Sequence, residues 1–168
     1  MPKTVTLSRE CTGVSASEFC SLTYCSKEFL QGYHAAVNND PDAVIPDFER
    51  HDSIVWKRVV EFTVPVKAPS IIMRMIGSAS QLQVLEAQCV SIVQGVDANE
   101  VHIESKPRPQ LGSIGDGFTS DVRVVIVDTG RGCRVNAMVE VSASSAPYGM
   151  VGIVETFMAD TAKASVHD

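Results

Sequence analysis

Histidine, cysteine and serine are the side chains that most often carry catalysis, and here none of them falls in a familiar catalytic spacing. No HExxH pair or other metal-type spacing joins the histidines, and no Gly-x-Ser-x-Gly motif or glycine-rich phosphate loop occurs. A Cys89 and His102 dyad has no support from spacing. The histidines are His34, His51, His102 and His167. We therefore expect a protein that binds a ligand without changing it, with no cofactor and no metal.

The five cysteines are an odd number and contain no CxxC motif, which argues against a disulfide framework and against a zinc site. We expect reduced, mostly buried thiols rather than a redox role. The cysteines are Cys11, Cys20, Cys25, Cys89 and Cys133.

Polar residues inside strand-like segments are better candidates for functional residues than the scattered histidines, cysteines and serines. Glu86 and Gln88 share a strand parity with the apolar residues Val84, Val90 and Ile92. If this parity faces inward, the two polar groups must find partners or a ligand hydroxyl, because burying an unpaired carboxylate is costly. The alternative is a local bulge that turns this parity towards solvent.

Four other large side chains are each open to two interpretations. Trp56 is either ordinary core or a platform for a ligand. Arg58, Arg123 and Arg134 are either solvated or face inward, and an inward arginine paired with a carboxylate is the special case.

The elements that must position these side chains follow from periodicity. Weak alternation over residues 4–14 predicts a strand that ends at Gly13. The apolar residues that follow have helical spacing, and Ser15 or Ser17 can cap the N-terminus of the helix. This pattern predicts either one helix or two short helices broken near Ser26.

Alternation of apolar and polar residues from Ile54 to Val64 then predicts one long strand or two strands. Turn clusters separate further β segments, which implies an antiparallel meander of four to six strands. These segments are 81–94, 100–106, 118–128 and 133–144. After Pro147 the apolar residues return to helical spacing, which predicts a C-terminal helix.

Composition excludes several classes of protein. The 168 residues suit a single domain, 1–168, and 45% of them are hydrophobic, which is enough to build a core. With 20 acidic against 14 basic residues the net charge is -6, so we expect no nucleic-acid partner. No apolar stretch reaches the roughly 18 residues of a transmembrane helix and no secretory signal is present, so we expect a cytoplasmic protein with at most peripheral contact to membranes.

The predicted fold is α+β with the helix-grip architecture, in which a curved antiparallel sheet wraps around a long C-terminal helix. A curved sheet and a straight helix cannot be in contact along their whole length, so a space remains between them. This architecture therefore predicts an internal hydrophobic cavity, and such cavities usually hold an apolar ligand oriented by a few polar groups.

Several motifs follow one another between Arg58 and Glu155. They are Arg58-x-x-Glu61-Phe62-Thr63-Val64-Pro65, Leu85-Glu86-Ala87-Gln88, Gly115-Asp116-Gly117-Phe118 with Arg123, Gly132-Cys133-Arg134-Val135, and Tyr148-Gly149-x-x-Gly152-Ile153-Val154-Glu155. Together with the element order they resemble the START-like superfamily of helix-grip proteins and, within it, the VASt domain, a sterol-handling relative of the START lipid-transfer domain. The chain departs from the VASt pattern at Ser113-Ile114, where a Pro-Tyr pair is usual, and we expect no membrane-docking domain or transmembrane anchor beside it.

The resemblance implies that the chain carries or senses a sterol, another lipid or a related hydrophobic small molecule in the cavity. The residues expected to line that cavity are Trp56, Arg58, Val60, Phe62, Met73, Met75, Ile76, Glu86, Gln88, Val154, Phe157 and Met158.

The segment from Lys67 to Gly77 interrupts the meander with an apolar run that contains a proline and two cations. One interpretation is a door to the cavity that dips into a membrane, and the other is a connection packed into the core. On the first interpretation the residues in transient contact with the membrane surface are Lys67, Ile71, Ile72 and Arg74.

Two further classes of function remain open. A cyclase-like or isomerase-like enzyme could act on an aromatic or polyketide substrate in the same pocket, with Glu86, His102 or an arginine as acid, base or anion stabiliser. An interaction module with a filled core and no cavity is the third class. A titratable pair pointing into the cavity within hydrogen-bond reach would favour the enzyme.

Overall fold

Seven antiparallel strands and three helices account for most of the chain in a computed structural model, which describes residues 2–75, 77, 80–94, 99–111, 117–144, 152, 155–156 and 158–160. The strands are β1 (Lys3–Thr12), β2 (Glu49–Arg50), β3 (Val55–Pro65), β4 (Gln81–Gln94), β5 (Asn99–Pro109), β6 (Phe118–Thr129) and β7 (Gly132–Ala143). The helices are α1 (Ala16–Leu22), α2 (Lys27–Val37) and α3 (Ser70–Met75). The predicted α+β class is confirmed.

The strands from β2 to β7 form a meander in which each strand pairs with the next along the chain. The first strand, β1, closes the other edge by pairing with β7, so the sheet order is β1-β7-β6-β5-β4-β3-β2. This edge needs a glycine at position 132, because a Cβ there would lie 2.0 Å from the carbonyl oxygen of Cys11. The predicted antiparallel meander is confirmed.

The helical region between β1 and β2 is two helices rather than one. Ser15 caps α1 in a capping box with Glu18, and Ser26 caps α2 by accepting from the backbone N–H of Phe29. The break near Ser26 is therefore confirmed. The N-terminus of α1 is also fixed to the sheet, because Ala16 N–H donates to Asp128 of β6 at 2.7 Å.

One face of the sheet, here called the inner face, carries the buried side chains. Helix α1 packs over the part formed by β5, β6 and β7, where Ala16 and Cys20 meet Ile103 and Ile126. Helix α2 packs over β3 and β4, where Leu30 joins a second set of buried residues. That set is Ala43, Ile45, Val60, Phe62 and Val84.

A third part of the inner face, at the start of β6 and the end of β7, is covered by α3 and by the C-terminal residues. Ile72 of α3 packs with Phe118 and Ala143, and Met158 contacts this group. The long C-terminal helix predicted after Pro147 is not described: the described residues there are 152, 155–156 and 158–160, and they have helical backbone.

The end of α2 is tied to β3 through the buried carboxylate of Asp40. Its Oδ2 accepts from the N–H of Thr63 at 2.8 Å and its Oδ1 accepts from the N–H of Asp42 at 3.0 Å. The Thr63 N–H is the main reason that the pKa of Asp40 lies below its ordinary value, with the Asp42 N–H in support, and burial acts in the opposite direction.

Replacing Asp40 with Asn should therefore flatten the pH dependence of stability. Because the folded pKa is lowered, the carboxylate stabilises the fold fully above its unfolded pKa of about 3.8, and this contribution is lost as the pH falls through the folded value. We expect Asp40→Asn to cost about 1 to 2 kcal/mol near pH 7 and much less at low pH. Urea denaturation from pH 2 to 7 measures both.

The matched control is Asp47→Asn, which removes an exposed carboxylate paired with Lys27. A parallel loss of stability in both variants at every pH would show that the two N–H bonds to Asp40 contribute nothing specific.

Candidate functional site

Five polar residues meet on the mostly apolar inner face, beneath the turn that joins α1 to α2. Arg58, Gln88 and Ser105 are directly opposite one another on β3, β4 and β5. Glu86 lies two residues before Gln88 on the same side of β4, and Tyr24 reaches the group from the turn. We call Tyr24, Arg58, Glu86, Gln88 and Ser105 the inner polar cluster.

The guanidinium of Arg58 holds this cluster together and is only 6% exposed. Its Nη2 donates to the carbonyl oxygen of Tyr24 at 2.6 Å and its Nε donates to Gln88 Oε1 at 2.7 Å. Its Nη1 makes a longer bond of 3.4 Å to the carbonyl oxygen of Pro46, and its Cζ lies 3.9 Å from the centre of the Phe48 ring. One side chain therefore contacts the turn, the connection before β2, and β4.

The amide side chain of Gln88 hydrogen-bonds to two groups of opposite charge, Arg58 and Glu86. It accepts from Arg58 through Oε1 and donates to Glu86 Oε1 through Nε2 at 2.7 Å. The hydroxyl of Ser105 donates to the same oxygen of Glu86. All bonds recorded for the Glu86 carboxylate in the described part of the chain thus end on Oε1.

The negative charge of Glu86 affects the pKa values of two nearby aromatic side chains, Tyr24 and His34. Burial raises the pKa of Tyr24 to about 12, and the negative charge of Glu86 adds to the effect. Burial lowers the pKa of His34, whose ring contacts Phe62 and Tyr33, while Glu86 and Asp40 act in the opposite direction. Tyr24 and His34 are therefore neutral near pH 7.

On β3 and β4, all the residues that were expected to line a cavity lie on the inner face. The register from Val55 to Pro65 is continuous, so the parity of Glu86 and Gln88 is not turned towards solvent by a bulge. Trp56 is half-buried opposite Val90. Val60 and Phe62 lie in the set of buried residues under α2, where they pack against protein.

The remaining predicted residues are spread over α3 and the C-terminal segment. Met73 and Met158 are half-buried. Ile71, Lys67 and Arg74 are exposed, whereas Ile72 is only 5% exposed. An outward-facing, membrane-touching Ile72 does not agree with this conformation, because the side chain is packed between α3 and the sheet. The side chain of Met75 and the residues Ile76, Val154 and Phe157 lie outside the described residues.

The other two arginines do not join the cluster. Arg123 and Arg134 project from the outer face, where they pair with Glu104 at 3.7 Å and with Glu10 at 2.8 Å. His102 is also on the outer face and interacts with Glu100 at 2.8 Å. Arg58 is therefore the inward arginine, and it reaches its carboxylate through the amide of Gln88.

Two open grooves in the described part of the chain lie on the outer face rather than under the helices. One, of about 380 Å³, crosses β1, β7 and β6. The other, of about 600 Å³, crosses β3, β4 and β5 beside the connection to β2. The second is lined by Pro46, Asp47, Glu49, Lys57, Arg58, Val59, Ala87, Gln88, Cys89, Glu104 and Lys106. The mixed charge of the second groove makes it a poor site for an apolar ligand, and neither groove is enclosed by the helices.

Sequence reasoning missed Tyr24, Ser105 and Phe48. Strand parity could have found Ser105, because it shares the parity of the buried Val101 and Ile103 on β5. Tyr24 and Phe48 lie in irregular segments, where no periodicity assigns a side chain to a face.

Comparison of the chain with protein-family models found no matching family, and comparison with curated proteins found no match. Across the described residues, no group of three or more His, Cys, Asp or Glu side chains is arranged to hold a metal ion. The helices that the structure describes include none with the length and apolar character needed to cross a membrane.

Replacing Arg58 with Met should destabilise the protein by about 3 kcal/mol, because it leaves buried acceptors on Tyr24 and Gln88 without a donor. Urea denaturation of the variant measures the loss. Arg123→Met is the matched control, since it removes an exposed guanidinium and should cost less than about 1 kcal/mol. Equal effects in the two variants would contradict a central role for Arg58.

Proposed function

We propose that the chain is a helix-grip domain that binds a hydrophobic ligand, a sterol or another lipid with a polar end, and carries or senses it. The observation that carries the proposal is the inner polar cluster, because it places a charged acceptor among the mostly apolar side chains of the inner face. Small-molecule sites commonly combine an apolar lining with a few polar groups that fix orientation. The expected cavity would be closed by the C-terminal segment.

The element order supports the same proposal. A first strand, two helices and an antiparallel meander follow one another in the order that the resemblance to START-like proteins implies. The motifs at Arg58 and at Glu86 to Gln88, on which that resemblance partly depends, contribute three of the five cluster residues.

Glu86 is the member of the cluster best suited to meet a ligand. Arg58 is buried and donates through all three of its nitrogen atoms to protein acceptors, and Gln88 uses both its amide oxygen and its amide nitrogen within the cluster. A carboxylate offers about four acceptor positions, and the recorded donors, Gln88 and Ser105, share Oε1. In the proposed complex Glu86 Oε2 accepts a bond from the ligand hydroxyl.

The geometry favours binding over catalysis. The enzyme alternative needs a titratable pair within hydrogen-bond reach on the inner face, and the recorded partners of Glu86 in the described chain are an amide and a hydroxyl. His102, the other candidate acid or base, is on the opposite face of the sheet. A second carboxylate or imidazole bonded to Glu86 is absent from the described residues.

Equilibrium titration with a fluorescent sterol and with labelled phospholipids tests the proposal. We expect saturable binding by at least one of them, and we expect Glu86→Gln to weaken it about tenfold, because a hydrogen bond to a charged acceptor contributes about 1.5 to 3 kcal/mol. Glu104→Gln on the outer face is the control and should leave affinity unchanged. The proposal would be withdrawn, and an interaction module with a filled core preferred, if none of these probes bound saturably.

We propose in addition that the exposed side of α3 contacts membranes while the ligand is extracted. Arg74 of α3 and Lys67, which precedes the helix, are exposed, and Ile71 between them in the sequence is 46% exposed. This segment therefore offers an apolar side chain together with two cations. Each basic residue near an anionic surface contributes on the order of 1 kcal/mol of attraction. Ile72 has a different role, because it anchors α3 to Phe118 and Ala143.

Ile71→Asp should therefore slow sterol extraction from anionic vesicles without unfolding the protein, and reversing the charges of Lys67 and Arg74 should weaken vesicle binding at low salt. Extraction kinetics are followed beside far-UV circular dichroism. Val59→Asp is the matched control, because Val59 is 53% exposed and lies on the outer face of β3. Equal slowing by both substitutions, or by neither, would place the membrane contact elsewhere.

A further inference from the structure

Two cysteines face each other at the junction of α1 and α2. Cys20 lies in the last turns of α1, and Cys25 precedes the cap of α2. The backbone brings them together, because Cys25 N–H donates to the carbonyl oxygen of Cys20 at 3.0 Å. Their sulfur atoms are 3.6 Å apart and both thiols are free.

The two thiols differ in access. Cys20 is buried against the core under α1, whereas Cys25 is exposed. A reagent in solution therefore meets Cys25 first, and Cys20 is positioned behind it as a second thiol.

Their surroundings also favour a thiolate at Cys25. The pKa of Cys25 is lowered to about 7, chiefly by the hydrogen bond from Cys20 and to a smaller extent by the positive charge of Arg58, while burial acts in the opposite direction. The pKa of Cys20 is raised, first by the same hydrogen bond and then by burial. Glu86 and Asp47 face the same guanidinium and share its positive charge with the thiols.

We propose that Cys20 and Cys25 form a redox modification site, in which Cys25 is the attacking thiol and Cys20 the resolving thiol towards low-molecular-weight disulfides. The Cys25 thiolate attacks one sulfur of oxidised glutathione, giving a mixed disulfide and releasing one glutathione thiolate. Cys20 then attacks the Cys25 sulfur, its proton passes to the solvent or the leaving thiolate, and the second glutathione leaves. The protein dithiol is oxidised by two electrons and one oxidised glutathione becomes two reduced molecules.

The disulfide would act on the inner polar cluster through the backbone. Tyr24 lies next to Cys25, and its carbonyl oxygen accepts the shortest of the Arg58 bonds. Tying Cys25 to α1 would restrict the turn that holds this acceptor. The proposal does not depend on ligand binding, so either can fail without the other.

The chain contains an internal control in a second pair of neighbouring thiols. Cys11 and Cys133 are directly opposite on β1 and β7. Cys133 is fully buried, and burial raises the pKa of its thiol, with the neighbouring Cys11 in support. Proximity alone would allow both pairs to oxidise, whereas the proposal requires Cys20 and Cys25 to react first.

The test treats the full-length, fully reduced protein with oxidised glutathione, blocks the remaining thiols by alkylation and digests with trypsin and a glutamate-specific protease. Cleavage after Glu18 and Lys27 isolates Cys20 and Cys25 on the fragment 19–27, apart from Cys11. We expect this fragment to lose two hydrogen atoms, to escape alkylation, and to recover both thiols with dithiothreitol. Prior appearance of a Cys11 to Cys133 link, or alkylation of both thiols in 19–27, would overturn the proposal.

Two variants separate the roles of the thiols. Cys20→Ala should retain the glutathione adduct on Cys25, because no resolving thiol remains, and Cys25→Ser should abolish both adduct and disulfide in the fragment. Between pH 5.5 and 7.5 the first step should accelerate about 25-fold, following the thiolate fraction of Cys25. Adducts on Cys20 in place of Cys25, or a rate independent of pH, would contradict the assignment.

Discussion

The burial of one guanidinium organises this structure. Arg58 lies on a central part of the inner face, where an uncompensated charge would cost several kcal/mol. Its donors go to acceptors from three separate parts of the chain: the carbonyl oxygen of Tyr24, the carbonyl oxygen of Pro46, and the amide of Gln88. These three acceptors belong to β4, to the connection before β2 and to the turn between α1 and α2. The hydrogen bonds of Arg58 therefore help to fix the position of α1 and α2 over the sheet.

The same interaction explains how Glu86 remains on the inner face. Gln88 lies between the two charges with its oxygen towards Arg58 and its nitrogen towards Glu86, so each charge meets the complementary end of the amide. The arrangement depends on register. A slip of one residue between β3 and β4 would turn Arg58 to the outer face, where Arg123 and Arg134 lie, and would leave Glu86 without compensation.

Periodicity determined what was predictable here. Alternation identified the long strands, because it is a local signal. It left open which face carries Glu86 and Gln88, and helical spacing left open whether one helix or two precede β2. The partners of Arg58 were not predictable, because Tyr24 and Pro46 lie in irregular segments brought to it by tertiary packing. In α3, Ile71 and Ile72 are the same residue type side by side, yet Ile71 is exposed and Ile72 is buried. Neighbouring helical residues point about 100° apart, so only one of the two can face the sheet, and the packing of the helix decides which.

The packing of the helices also limits where the proposed ligand could lie. Helix α2 covers Val60, and α1 covers Ile103 and Ile126, so these parts of the inner face are filled by protein. Between them and α3, the inward residues Pro107 and Val122 remain only half-buried. This strip begins at Glu86 and Ser105, which face Pro107 and Val122 in the strand register, and it leads towards Ile72 and Met158 beneath α3. A ligand anchored by its polar end at Glu86 would therefore extend its apolar body along this strip, in the direction of Ile72 and Met158.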